Sequence, residues 1–352
     1  MHLASTKFVF SNVFKMTYQK FNPSNMNVVK KILVILPALL IAFTIHSDAL
    51  AQSREDAITK FNEGFALFSE QGDNLAAIEK FKETIAIADE VGSEANDIRE
   101  RAVGQIPRLS FMHAAQMVRE RNLEGAVDAF QETIHLAETY GDDQILARAR
   151  GNLPALHLNM GNQLFRQEQN AEALEHYQKA IELNPSYTSA YYQMGLVYRR
   201  FGDLDEALEH FDIAIDLARE SGDQDNLDRS QRAARDHLVF LASEQIEEEY
   251  YNRALDLLNR AAGYGESASM HYRFAEVYNN QRRYSDARAS AERALELETG
   301  GRTDRARIYF ELGLAHKGLD NTQAACNAFR NAMVGDYRSP AEHEIEHELS
   351  CN

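Results

Sequence analysis

The chain has 352 residues, of which 44% are hydrophobic, with six prolines, no Trp and a formal net charge of -17. Ordinary apolar content with so little proline excludes a disordered or collagen-like chain. An acidic surplus with no basic stripe argues against nucleic acid or an anionic membrane as partner.

The first element in chain order is an export segment. Lys30 and Lys31 precede an apolar run from Ile32 to Ile45, and Ala49-Leu50-Ala51 supplies small residues before Gln52. Positive, apolar, then small is the order of a secretory signal peptide. The run is fourteen residues, short of the about twenty that span a bilayer as a helix. Residues 1–51 therefore read as a signal peptide cleaved near Ala51-Gln52, with Met26 as the start that gives a leader of conventional length. The mature protein is expected in the periplasm or cell envelope; an uncleaved apolar tether is the alternative.

Ser53-Arg54-Glu55-Asp56 reads as a capping box that opens the first helix. Helical sequence then continues with breaks at Gly72-Asp73, Gly92, Gly141-Asp142, Gly202-Asp203, Gly222-Asp223 and Gly300-Gly301. No stretch alternates with period two for long enough to predict a strand. Within these helices one triplet recurs: Ala77/Phe81/Thr84, Ala126/Phe130/Thr133, Ala173/Tyr177/Ala180, Ala207/Phe211/Ala214, Ala254/Leu258/Ala261, Ala287/Ala291/Ala294 and Ala325/Phe329/Ala332. Residues spaced by four and three share a helical face, and small ones there let a second helix come close. Recurrence at fixed phase predicts stacked helix pairs across residues 52–336. Successive first alanines lie 49, 47, 34, 47, 33 and 38 residues apart. The long intervals follow Ala86–Gly92, His135–Gly141 and Asp216–Gly222, three versions of one phrase, which predicts longer helices in those units.

The last predicted element covers residues 337–352. Ser339-Pro340-Ala341-Glu342 combines an N-cap, Pro at the first helical position and Glu three on, opening a capping helix to about Leu349. It contains His343-Glu344-Ile345-Glu346-His347, a match to H-E-x-x-H. That spacing sets two imidazoles on one face, able to share a zinc with Glu344 as general base. A hydrolase of that kind needs a third protein ligand and a strand edge for its substrate. Only five residues follow His347 and no strand is predicted. The reading assigns no catalytic residue, metal or cofactor and keeps a zinc-dependent hydrolase on this segment as the alternative. Cys326 and Cys351 are the two cysteines, and an exported chain with an even count favours their pairing.

The clearest units are Met160-Gly161, Leu164, Ala173, Tyr177, Ala180, Pro185, and then Tyr191, Gly195-Leu196, Tyr198, Ala207, Phe211, Ala214. This resembles the tetratricopeptide repeat, whose signature is an aromatic, Leu-Gly, Tyr, then Ala, Phe, Ala and a closing Pro. His271/Phe274-Ala275/Tyr278 and Tyr309/Leu312-Gly313 begin two further matching units. The intervals near 47 depart from the family's usual length. The resemblance implies an all-α, right-handed α-solenoid of about seven helix-turn-helix repeats with a C-terminal capping helix. It also implies a non-enzymatic scaffold that binds a protein or peptide in a concave groove lined by the first helices. The groove residues would be Asn162, Phe165 and Arg166, with Leu158, in unit three; Tyr192, Leu196, Arg199 and Arg200 in unit four; Tyr272, Glu276 and Asn279 in unit six; Phe310 and Lys317, with Leu314, in unit seven. The family's carboxylate-gripping mode needs a Lys where this chain has Leu158, although Asn162 and Gln193 stand in suitable places. An acidic partner met by Arg166, Arg199 and Arg200 is the expectation.

Overall fold

The computed structural model describes residues 52–351. The expected signal peptide and its cleavage site lie outside the described residues. Among the described residues no helix is long and apolar enough to cross a membrane.

Fifteen α-helices follow one another, with no strand among the described residues. They form seven helix-turn-helix repeats and a terminal cap. Repeat one is α1 (Arg54–Gln71) and α2 (Asn74–Val91); repeat two, α3 (Asn96–Arg119) and α4 (Leu123–Tyr140); repeat three, α5 (Asp143–Arg166) and α6 (Asn170–Leu183). Repeat four is α7 (Thr188–Phe201) and α8 (Leu204–Ser221); repeat five, α9 (Gln224–Glu247) and α10 (Tyr251–Ala262). Repeat six is α11 (Ala268–Asn280) and α12 (Tyr284–Leu297); repeat seven, α13 (Arg302–Gly318) and α14 (Thr322–Ala332). The cap is α15 (Arg338–His343).

Local chemistry sets the ends. Ser53 closes the expected capping box: its Oγ accepts from the Asp56 amide at 3.2 Å, and its own amide donates to the Asp56 carboxylate at 2.9 Å. Gly72 ends α1 in the left-handed region at φ 67°, and Asp73 then N-caps α2 through the Ala76 amide at 3.0 Å. Five repeats turn on Arg121, Glu168, Glu249, Arg282 and Asp320 instead, with φ between 59° and 64°. A side chain in that region costs about 1 kcal/mol.

The long intervals resolve into paired extensions. The second helices α2, α4 and α8 have 18 residues each, and the first helices that follow them, α3, α5 and α9, have 24 each. The other first helices after α1 have 13 to 17. Most of the added length therefore lies on the following first helix rather than in the phrase that precedes it. Pro107 and Pro154 sit inside α3 and α5.

The cap departs from expectation. Ser339 is inside α15, not before it, and no side chain caps the helix. A 3-10 turn at Gly335–Tyr337 runs directly into Arg338, so the helix starts ahead of Ser339. It then loosens into a π-helical turn, Glu344–Glu348.

The chain divides into two compact units, residues 52–113 with 132–145, and residues 114–131 with 146–351. The first has one core, in which Phe61, Phe81 and Ile85 of repeat one meet Ile98, Ile106 and Leu109 of α3. In the second, Phe211 of repeat four, Leu238 and Leu258 of repeat five and Met270 of repeat six share one cluster. No repeat buries its apolar face alone, so each depends on its neighbour.

Every residue of the seven triplets is at most 1% exposed. The reason is visible beneath the rings. A Cβ on Gly161 would stand 2.5 Å from the Tyr177 ring, and one on Gly195 or Gly313 would stand 2.6 Å from Phe211 or Phe329. Repeat six exchanges the partners: Ala275 takes the glycine position and Ala291 the ring position, both fully buried.

Two expectations follow from this packing. Gly195→Ala should destabilise by about 1–3 kcal/mol through overpacking, despite alanine's better helix propensity, and Phe211→Leu should recover part of the loss. Glu249→Gly should raise stability by about 0.5–1 kcal/mol by relieving a left-handed side chain. Urea denaturation of Gly195→Ala, Gly195→Ala/Phe211→Leu and Glu249→Gly measures both.

Candidate partner-binding face

The first helices of repeats three and four carry most of the predicted groove. On α5, Phe165 and Leu158 rest half-buried against the cluster of Tyr177 and Met194. Asn162 accepts a hydrogen bond from the Tyr177 hydroxyl at 3.0 Å, and burial pushes that phenol up to about 12. On α7, Leu196 and Tyr192 lean on the next cluster, Tyr192 with its ring centroid 6.0 Å from that of Phe211. These apolar groups are part of the joints between repeats and leave one side accessible.

The four arginines around them divide into two kinds. Arg200 lies over the Phe165 ring at 3.9 Å and donates to the Phe165 carbonyl at 2.9 Å and to Asn170 at 3.3 Å. It clamps repeat four onto repeat three. Arg229 of α9 stands 5.0 Å above the Tyr192 ring. Arg166 and Arg199 are exposed, and among the described residues neither has an ion-pair partner. Beside Arg199 lies His237, 8% exposed, its imidazole held below the usual range by burial and then by the Arg199 charge. His237 Nε2 and the Ser230 hydroxyl are buried without a hydrogen-bond partner. A positive, partly aromatic face therefore stands on a chain whose net charge is -17.

Repeats six and seven are different, because the chain's own C-terminal segment meets the predicted residues. Tyr272 is 6% exposed, so it belongs to the core and not to an open face. Its hydroxyl lies 3.3 Å from that of Tyr337, and Arg273 and Arg307 flank its ring at 5.1 Å each. Glu276 pairs with Arg273 at 2.7 Å. Phe310 packs on Tyr337 and on Phe329, each with centroids 5.5 Å away. Lys317 pairs with Glu344 at 2.7 Å and Glu348 at 3.1 Å. Asn279 donates to the Glu311 carbonyl at 2.9 Å and to its carboxyl at 2.8 Å. Glu311 is 7% exposed, and burial pushes its carboxyl up to about 7.

Cys326 and Cys351 are joined by a disulfide with Cα atoms 5.8 Å apart, which ties the cap to α14. In the H-E-x-x-H segment the rings of His343 and His347 are 5.2 Å apart. Glu344, which a hydrolase would use as base, is held by Lys317. Among the described residues no group of three or more His, Cys, Asp or Glu is placed to hold a metal. His157 and His176 face each other through their Nδ1 atoms at 3.1 Å, and burial lowers both.

Sequence reasoning missed Arg229, His237, Glu311 and Tyr337. Arg229 and His237 sit on α9, in a unit outside the four that match the repeat signature well. Glu311 follows Phe310 directly, so only the helical phase between two packing positions marks it for burial. Nothing in the sequence places Tyr337 against Tyr272.

The Glu311 carboxyl sets a pH dependence. Its value in the fold, about 7, exceeds the ordinary 4.5, so between these limits the folded chain holds the extra proton. Stability should fall by about 3 kcal/mol as pH rises from 4.5 to 7 and change little from this group above that. Glu311→Gln should flatten that fall and be the more stable protein at pH 8. Denaturant titrations across that range test it, and an undiminished slope in the variant would contradict the assignment.

Models of the tetratricopeptide repeat match residues 161–202, and 188–221, 268–299 and 306–333. A model of anaphase-promoting complex subunit 5 matches residues 38–96 and 108–160. No curated protein matches the chain. Among solved structures, MamA from Desulfovibrio magneticus RS-1 is 17% identical, with 56% of this chain and 98% of that one covered and a TM-score of 0.35. YrrB, described as a tetratricopeptide-repeat protein with an unusual peptide-binding site, is 23% identical, covering 54% and 91%, with a TM-score of 0.34. A tetratricopeptide-repeat protein from Parabacteroides merdae is 16% identical, covering 86% and 100%, with a TM-score of 0.27.

Proposed function

We propose that this chain is an exported, non-enzymatic scaffold that binds an acidic segment of a protein partner on the first-helix face of repeats three and four. The observation that carries the reading is the pair Arg166 and Arg199, exposed and without ion-pair partners on an acidic chain, beside Phe165, Tyr192 and Leu196. Guanidinium groups form charge-assisted, often bidentate bonds to carboxylates, and flanking aromatics supply apolar contact at small entropic cost. The helices that present them are fixed by buried neighbours, so binding orders little of the protein. Arg200 acts differently: it positions Phe165 and holds the two repeats in register.

Export rests on the N-terminal sequence. The fold adds a disulfide of the kind that persists in oxidising compartments. The mature chain should begin at Gln52, and mass spectrometry of the protein recovered from the envelope reads that directly. A full-length chain in the membrane fraction would favour the tethered form.

Partner capture tests the binding face. Tagged protein crosslinked in envelope extract should enrich a specific partner, and Arg166→Glu/Arg199→Glu should lose it at least tenfold. Recovery should also fall steeply between 50 and 300 mM salt, because exposed charge contacts are screened. Equal recovery by both proteins would move the binding site off this face.

A further inference from the structure

The segment Gly335–Cys351 does more than cover the last repeat. A cap needs only an apolar contact with repeat seven, and Ala341, Ile345 and Leu349 provide it against Phe329 and Ala332. Tyr337 goes further. It crosses to repeat six, where its hydroxyl meets that of Tyr272, while its ring lies on Phe310. Glu344 and Glu348, four residues apart, both close on Lys317. An aromatic side chain and two carboxylates at helical spacing thus occupy first-helix positions of repeats six and seven, where Phe310 and Lys317 are the counterparts of Tyr192 and Arg199 in repeat four.

The same segment has little regular structure of its own. It consists of a 3-10 turn, a six-residue α-helix and a five-residue π-helical turn, and helices that short are not stable alone. Ser350 takes a left-handed φ of 50° to bring Cys351 back to Cys326. The disulfide adds a covalent tie to the apolar, hydroxyl and ion-pair contacts that seat the segment. Cys326 is 4% exposed and Cys351 is partly exposed, so the outer sulfur is the reachable one.

We propose that Gly335–Cys351 is a redox-latched occupant of a second binding site, formed by Tyr272, Phe310 and Lys317, whose exchange partner is a peptide segment with an aromatic residue and paired acidic residues. The opening reagent is a dithiol. One of its thiolates attacks Cys351 Sγ, breaking the Cys326–Cys351 bond and releasing the Cys326 thiolate with a mixed disulfide on Cys351. The second thiol then displaces the Cys351 thiolate, so that the dithiol is oxidised to a cyclic disulfide and the two cysteines gain its two electrons and two protons. Loss of the crosslink should raise the open fraction of the segment by roughly several hundredfold, the scale expected for a loop of this length. The latch does not require the Arg166 and Arg199 face.

The test uses the full chain and a fluorescent peptide of residues 334–350. Oxidised protein, dithiothreitol-treated protein and Cys326→Ser/Cys351→Ser are titrated by anisotropy. The latch predicts at least tenfold tighter binding to the reduced and double-Ser proteins than to the oxidised one. Lys317→Glu in the double-Ser background should remove the redox-dependent gain, and Arg166→Glu/Arg199→Glu should leave the ratio of reduced to oxidised affinity unchanged even if it weakens both. Hydrogen exchange on the unaltered protein supplies a readout that needs no variant: amides 335–349 should exchange faster after reduction while those of α11 and α13 stay protected. Equal peptide affinity in both redox states, or unchanged exchange at 335–349, would overturn the proposal.

Discussion

Close approach of two helices inside each repeat is the constraint on which the rest of the molecule depends. Glycine at positions 161, 195 and 313 receives the ring of Tyr177, Phe211 or Phe329, with no room for even a methyl group. The small residues on either side of each ring let the neighbouring helices settle around it, which is why the triplets are uniformly buried. Repeat six meets the same constraint differently, with fully buried alanines, Ala275 and Ala291, in place of the glycine and the ring. A first helix locked in this way has one side committed to packing. Its other side is free to carry whatever the partner requires.

Arginine is the second organising element. Lys is scarce after residue 51, with Lys60, Lys80, Lys82, Lys179 and Lys317 its only instances. The fold gives a reason. Planar guanidinium groups lie over Phe61, Phe165, Tyr192 and Tyr278, contributed by Arg101, Arg200, Arg229 and Arg283. Stacking of that kind suits Arg better than the compact ammonium of Lys. Arg166 and Arg199 have the same chemistry without a ring or carboxylate of their own, and they follow Phe165 and Leu196 on the first helices of repeats three and four. The lysine at 317 is a point charge between two carboxylates of the C-terminal segment.

The architecture was largely legible in the sequence because it is written in period and volume. Ala207, Phe211 and Ala214 announce a buried stripe without any structure, and the Gly-Asp breaks announce where one helix ends and the next is capped. What escaped was long-range. Helical phase places Tyr272, Glu276 and Asn279 on one face, but whether that face meets a partner or the chain's own Tyr337 depends on a segment 65 residues away. The carboxyl of Glu311 and the imidazole of His237 are hidden by neighbouring repeats, and a single-repeat pattern has no term for the neighbour. The cap shows the limit at short range as well. Ser339-Pro340-Ala341-Glu342 has good capping chemistry, yet the turn pinned by Tyr337 starts the helix sooner.

The central claim is that the first helices of repeats three and four form the surface a partner touches. Site-specific photo-crosslinking from Tyr192, beside the unpaired arginines, tests it most directly when compared with crosslinking from Glu209, exposed on the second helix α8. The account predicts crosslinks from position 192 to an acidic segment of one partner and none from position 209. Crosslinks from position 209 with none from 192 would contradict it.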